Sequence, residues 1–374
     1  MVQRVVLAPD KFKGCLTAAE VAAAVAAGMS SALPGLELIQ LPVADGGDGT
    51  VSAAVSAGYT RVVVEAEGPT GRPVPAAYAV LGPRAVIELA GVVGLELLPG
   101  GRAEPLTAST YGLGQVIADA LHRGATEIVL GLGGSASTDG GAGMAQALGA
   151  RLRDGAGRDL PRGGAALVDL VSLDLTPLRA RLGSAKVIVA SDVDLPLLGP
   201  DGAASVFGPQ KGASPEQVAA LERGLTTWSE FVASSEGRDE TFRDGAGAAG
   251  GTGFGAVALL DAAISPGIDL VLDLIDFEAK LAGADLVITG EGCLDAQSLA
   301  GKAPVGVARA ATRAGVRVVA VAGRNELGPI RLAQAGIVAA YPLSALEPDL
   351  ERSMARARPL LSAVGGRIAR EWLG

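Results

Sequence analysis

Carboxylates and lysines in this chain gather where β-branched runs give way to glycine. The apolar run Arg4–Pro9 ends at Asp10-Lys-Phe-Lys13, which sets two cations beside a carboxylate. A post-strand loop of that composition either suits an anion such as a phosphate or is an ordinary solvated turn. Asp45-Gly-Gly-Asp-Gly-Thr50 carries two carboxylates three residues apart, with glycines that let the backbone turn sharply. Hard cations such as Mg²⁺ take oxygen ligands and keep several waters, so one or two carboxylates suffice when phosphate oxygens complete the shell. The full ligand spacing of an EF-hand is absent, and an N-cap role for Asp48 or Thr50 accounts for one residue rather than the whole run.

The densest phosphate-loop pattern is Gly131-Leu-Gly-Gly-Ser-Ala-Ser-Thr-Asp-Gly-Gly141. Strand, glycines, hydroxyls and helix start come in the order that aims backbone N–H groups at an anion. It lacks the Gly-Lys-Ser/Thr ending of a Walker loop and has no clean dinucleotide fingerprint, and a glycine turn that only packs helix on strand is the plain alternative. Ser191-Asp-Val-Asp194 ends another apolar run, and Gly208-Pro-Gln-Lys-Gly212 follows it. The acids there suit a metal or a hydroxyl nucleophile, and Lys211 suits phosphate charge or plain solvation. Thr289-Gly-Glu-Gly292, Asp295, Gln297 and Gly301-Lys302 again mix acid and cation. His122, the single histidine, stands beside Arg123 near a predicted helix end, where charge at the helix terminus explains it better than a triad or a metal site. Cys15 and Cys293 have no histidine to activate them and form no C-x-x-C pair, so packing is their expected role.

These loops need strands to carry them. Arg4–Pro9 reads as a strand, and Thr17-Ala-Ala-Glu20 as a capping box opening a helix toward Met29. Leu36–Val43 reads as a strand and Val51–Ala57 as a helix. Thr60–Glu67, Val74–Leu81 and Arg84–Leu89 follow one another with turns and no helix, which predicts antiparallel pairing. Helix Thr110–His122, strand Glu127–Leu132, strand Lys186–Ala190 and helix Ser214–Val232 come next, and the glycine-dense stretch 245–255 is expected to pack tightly. From Ala284 a βα rhythm resumes: strands Leu286–Thr289, Val316–Ala322 and Ile337–Tyr341 alternate with helices Pro304–Ala314, Leu327–Ala335 and Leu350–Trp372, which predicts one parallel sheet.

The chain ends resemble each other more than they resemble the middle. The expected architecture is therefore α/β with two domains: a Rossmann- or flavodoxin-like parallel domain from residues 1–60 plus 284–374, and an inserted mixed α/β domain at 61–283, with a small-molecule cleft between them. In 374 residues, 49% are hydrophobic, which supplies a large core and excludes disorder. Aromatic residues are only 3% against 54 glycines, so that core must be aliphatic and glycine-punctuated. A net charge of −9 without a basic cluster argues against nucleic-acid binding, so an anionic substrate needs local lysines. Neither a signal peptide nor a spanning apolar segment is read, and two scattered cysteines suit a reducing compartment, so a cytoplasmic protein is expected.

Seven motifs in order resemble the bacterial glycerate kinase family of type I over nearly the full length. They are Ala8-Pro-Asp-Lys-Phe-Lys-Gly14, Pro42-Val-Ala-Asp-Gly-Gly-Asp-Gly-Thr50, Thr110-Tyr-Gly-Leu-Gly114, the run Gly131–Gly143, Phe207-Gly-Pro-Gln-Lys-Gly212, Gly245-Ala-Gly-Ala-Ala-Gly-Gly251, and Ile288-Thr-Gly-Glu-Gly292 through Gly301-Lys-Ala-Pro304. The resemblance implies a two-domain α/β fold and ATP- and Mg²⁺-dependent phosphorylation of D-glycerate, giving 2-phosphoglycerate. This chain departs from the family at Cys15, usually Ser, at Asp48, commonly Glu, and at Cys293, frequently Arg.

Phosphoryl transfer depends on positioning and charge neutralisation, so a glycine loop, a metal carboxylate and cations are the parts required. Gly133, Gly134, Ser135, Ser137, Thr138 and Lys211 are the expected ATP contacts, and Asp45, Asp48 or Asp192 the expected Mg²⁺ ligands. Asp10, Lys302, Glu291 and Asp295 are expected on the glycerate side, with Lys11, Lys13 or Lys302 meeting its carboxylate or the transferring phosphate. Asp192, then Asp45, is the expected base for the glycerate hydroxyl. A kinase making 3-phosphoglycerate or acting on another hydroxy acid, a dinucleotide-dependent oxidoreductase and a non-catalytic two-domain binding protein are the alternatives.

Overall fold

Val5, Val6, Leu7 and Ala8 are all fully buried, as expected of a parallel strand covered on both faces. The computed structural model describes residues 2–374 and, of Ala300, the backbone only. Its chain contacts divide it into two units: residues up to Asp45 with Ser52–Gly58 and Ile268–Gly374, and Gly46–Val51 with Tyr59–Gly267. Residues 268–283, which the sequence places in the insertion, thus pack with the chain ends: helices Gly267–Leu274 and Phe277–Lys280 cover that unit's core through Ile268, Val271 and Phe277.

In the first unit, five parallel strands run in the order Ala339–Pro342, Arg317–Asn325, Leu286–Leu294, Arg4–Pro9, Glu37–Gln40. The chain therefore winds outward in both directions from the adjacent pair Arg4–Pro9 and Leu286–Leu294. That reversal is a topological switch point, and ligands of open parallel sheets collect outside the carboxyl ends of such strands. One face packs on helices Ala18–Ala32 and Ala357–Trp372, through Val21, Val25, Leu361 and Ile368; the other packs on Ala303–Arg313, through Val307 and Ala311. The capping box at Thr17 and Glu20 is formed, each side chain accepting the other residue's N–H. The helix predicted over Leu350–Trp372 is two, Leu350–Ala355 and Ala357–Trp372, broken at Arg356. Pro359 has no N–H to continue the ladder across that point.

The second unit holds a six-stranded mixed sheet ordered Ala263–Ser265, Lys186–Ala190, Glu127–Gly131, Arg84–Glu88, Pro73–Leu81, Thr60–Glu67. The first four strands are mutually parallel and the last two antiparallel, as the turn-linked runs of the sequence predict. Helices Tyr111–His122, Ala142–Leu148 and Pro215–Glu236 enclose the apolar core with Ile87, Leu113, Leu130 and Trp228 at its centre. A short hairpin, Arg151–Arg153 with Ser172–Asp174, and strand Ala263–Ser265 were not read from sequence; at three residues each they are too short for an alternation signal. Among the described residues no helix is long and apolar enough to cross a membrane.

Candidate active site

Asp10 leaves the switch-point strand by donating its N–H to the Gly290 carbonyl at 2.8 Å. Its side chain is 8% exposed and accepts the Lys11 N–H at 2.6 Å. Burial pushes its pKa up to about 7; the Lys11 charge opposes that, while Asp45 and Glu291 add to it. Glu291, on the neighbouring strand Leu286–Leu294, is also buried and takes the hydroxyl hydrogen bond of Ser298. Burial raises its pKa too, against the Ser298 bond and the charge of Lys302. Asp295 closes the same turn by accepting the N–H groups of Gln297 (2.8 Å) and Ser298 (3.1 Å). Burial works against its ionisation, but those bonds and Lys302 outweigh it and hold its pKa below the usual carboxylate range. Lys302 sits at the start of helix Ala303–Arg313 with Nζ 3.3 Å from Gln297 Oε1. Asp10, Asp45, Glu291, Asp295 and Lys302 thus form one electrostatic group at the carboxyl edge of the parallel sheet.

Lys11 is half-buried beside this group, whereas Lys13 is exposed on a turn held by reciprocal Phe12–Leu16 backbone bonds. Cys15 donates to the Met354 carbonyl at 3.2 Å, and burial pushes its thiol pKa up, which fits packing rather than nucleophilic chemistry. Cys293 pairs across the sheet with Arg324, whose Nη2 lies 4.0 Å from its sulfur. The position without its own cation therefore has one on the adjacent strand.

The second locus lies in the other unit, where the Gly46–Asp48 and Gly131–Gly133 loops meet backbone to backbone and the Ser191–Asp194 loop joins through Asp192. Gly46 has φ +86°, and a Cβ on it would stand 2.6 Å from the Gly267 Cα and 2.9 Å from the Ala190 Cβ. A Cβ on Gly133 would stand 2.9 Å from the Gly47 Cα and 3.7 Å from the Asp48 N. Glycine at these positions is a requirement of close approach. The Gly267 N–H donates to Asp192 Oδ1 at 2.9 Å, which ties the Ser191–Asp194 loop to the same place. Glu88, at the end of strand Arg84–Glu88, accepts the Val51 N–H and so holds the start of helix Thr50–Ser56. Asp48 and Asp192 are exposed around this junction, Gly134 is exposed with φ +74°, and Gly133 is half-buried.

Ser135, Ser137 and Thr138 lie deeper than the sequence reading implies. All three are buried, and the hydroxyls of Ser137 and Thr138 have no hydrogen-bond partner. Lys211, 3% exposed, reaches them from the turn Pro209–Lys211, donating to Ser135 Oγ at 2.9 Å and to the Ser137 carbonyl. Burial pulls its pKa down to about 7, with Asp139 opposing. The glycine-dense stretch packs over this lysine as expected: a Cβ on Gly250 would stand 2.8 Å from Nζ, and Ala249 to Gly251 all take left-handed backbone.

Sequence reasoning passed over Asp139 and Glu88. Asp139 is fully buried and accepts from Thr110 N (2.8 Å), Thr110 Oγ1 (2.9 Å), Ser109 Oγ, Gly141 N and Gly143 N (3.2 Å each). Met144 N goes to Thr110 Oγ1 at 2.9 Å. The amides at the start of helix Ala142–Leu148 are therefore spent within the protein. Asp139 lies within the glycine-rich run 131–143, and its signal is a carboxylate three residues before a helix start.

His122 is at the end of helix Tyr111–His122, outside both loci. Among the described residues no group of three or more His, Cys, Asp or Glu gathers in metal-holding geometry. A protein-only metal cage does not fit these residues, whereas an ion sharing one or two carboxylates with phosphate oxygens does.

Acids, lysines and close-packed glycine turns, with cysteines placed for packing, are the equipment of a two-unit α/β enzyme of the kinase class. The glycerate kinase family matches residues 5–373, and the chain belongs to that family. The glycerate kinase of Bacillus subtilis (strain 168) is 43% identical over 371 residues, covering 98% of this chain and 97% of its own length. The glycerate 2-kinase of Escherichia coli (strain K12) is 41% identical over 344 residues, 90% of each chain. A crystal structure from Salmonella typhimurium LT2, assigned as a glycerate kinase 2, superposes with a TM-score of 0.86 at 41% identity, covering 99% of this chain and 98% of that one.

Proposed function

We propose that this protein transfers the γ-phosphoryl group of ATP, with Mg²⁺, to a hydroxyl of D-glycerate, giving 2-phosphoglycerate. The observation that carries the reading is the junction at which the Gly46–Asp48, Gly131–Gly134 and Ser191–Asp192 loops meet. It pairs an exposed glycine turn for phosphates with carboxylates on either side. The relative from Escherichia coli named a glycerate 2-kinase supports the 2-product.

In this reading Gly133 and Gly134 present backbone to the ATP phosphates, while Ser135, Ser137, Thr138 and Lys211 hold that turn from beneath. Asp48 or Asp192, or Asp45 in the other unit, would hold Mg²⁺, which neutralises phosphate charge when bound. Lys11, Lys13 and Lys302 meet the glycerate carboxylate or the transferring phosphate, and Asp10, Glu291 and Asp295 set their positions and charge. Asp192, with Asp45 second, accepts the hydroxyl proton.

ADP release by the purified protein tests this. Release should require D-glycerate and stop with EDTA, and Asp192→Asn should lower kcat by orders of magnitude at an unchanged fold. ADP release indifferent to D-glycerate would overturn the acceptor, and a near-normal rate in Asp192→Asn would remove it as the base.

A further inference from the structure

Thr60–Glu67 is the outermost strand of the mixed sheet and, at eight residues, the longest edge strand of either large sheet; the others have three or four. A long edge strand is a template for pairing unless its sequence blunts it. Its free backbone groups can be assigned. Glu65 and Glu67 stand opposite Pro75 and Pro73, which have no N–H to give, so the ladder bonds to Pro73–Leu81 fall at the even-numbered residues. Consistently, the Glu67 N–H turns away from that ladder to Gln115 Oε1 at 2.7 Å. The outward-facing N–H and C=O groups therefore belong to Arg61, Val63 and Glu65.

The side chains of the same three residues are exposed, Val63 at 61%. Val62 and Val64 point to the opposite face, half-buried against the core, and Ala66 is buried there.

We propose that this edge pairs antiparallel with the same edge of a second copy of the chain, about a two-fold axis through Val63. Backbone parity admits this register, since Val63 meets Val63 of the partner at a hydrogen-bonded position and Arg61 meets Glu65 on both sides of the axis. Each Arg61 then faces an opposite charge across the seam, and the two Val63 side chains cover each other. On the other face Val62 stands opposite Val64, extending the apolar layer across the join. Charges on an edge strand ordinarily repel partners; opposite signs placed symmetrically about a valine make the edge self-complementary. The result is one continuous twelve-stranded sheet.

The test is the solution mass of the full chain by light scattering at micromolar concentration. Wild type should have twice the chain mass. Arg61→Glu and Glu65→Arg should each give the single mass, because each sets like charges opposite one another, and the double variant R61E/E65R should restore the dimer. Circular dichroism should be unchanged in all three variants; if a single variant fails to fold, Val63→Lys takes its place and should also be monomeric. A monomeric wild type, single variants that remain dimers, or a double variant that stays monomeric would each overturn the proposal.

Discussion

Lys211 Nζ lies 2.9 Å from Ser135 Oγ, joining two loops that are 76 residues apart in the chain. Ser135 Oγ in turn lies 3.1 Å from the carbonyls of Ser137 and Ala249. One buried lysine thus binds together the glycine turn, its own 3₁₀ turn and the left-handed segment 249–251. In the folded chain it loses its proton near pH 7 rather than at 10.5. Between those values the unfolded state binds more protons, so this group's contribution to stability grows as pH rises from about 7 toward 10.5. Thermal melts of wild type and Lys211→Met should diverge in that direction, wild type gaining several degrees relative to the variant between pH 7 and pH 9.5. Parallel curves would show that Lys211 is not desolvated as described.

Asp10 predicts the opposite slope. Its folded pKa of about 7 exceeds its ordinary 3.8, so the folded state holds a proton that the unfolded state has released between those values. Stability that is present at pH 4 is lost as pH rises through 7. Asp10→Asn should flatten that decline, with melting temperatures at pH 5 and pH 8 closer together than in wild type. A variant as pH-dependent as wild type would remove Asp10 as the source.

Asp139 carries five donors with no exposure to water. Asp139→Ala would leave the Thr110, Gly141 and Gly143 N–H groups unpaired in the interior, at a cost of about 3 kcal/mol or more. Asp139→Asn, which keeps one acceptor oxygen, should fall between. Urea denaturation measures both, and an alanine variant within about 0.5 kcal/mol of wild type would contradict the network.

Gly133→Ala tests the loop junction. Its added methyl would press on the Gly47 Cα at 2.9 Å and push the glycine turn away from the Asp48 loop. We expect kcat/KM for ATP to fall at least about tenfold, in line with the sensitivity of positioned reactants to small displacements, and the melting temperature to fall by a few degrees, because the added methyl presses on backbone. Unchanged kinetics would separate this turn from the donor.

How much of this was legible in the sequence depended on the range of the signal. Strand Arg4–Pro9 and the Thr17 capping box were read to the residue because local pattern specifies them. The switch point was not, since adjacency of Arg4–Pro9 and Leu286–Leu294 is a pairing across most of the chain. The Gly131–Gly141 loop is legible as a glycine turn before a helix, but the depth of Ser137 and Thr138 is not, because it depends on Asp139 drawing the chain inward to Thr110. Lys211 reads in sequence as a phosphate contact or a solvated cation, and its burial under Gly250 comes from packing between loops distant in the chain, which local pattern does not carry.

The most direct measurement is a ³¹P NMR time course of the purified protein with ATP, Mg²⁺ and D-glycerate, beside a sample without glycerate. The account predicts a glycerate-dependent phosphomonoester signal that matches authentic 2-phosphoglycerate, with ADP formed in equal amount. A signal matching 3-phosphoglycerate would contradict the proposed product, and the absence of any glycerate-dependent phosphomonoester would contradict the central claim.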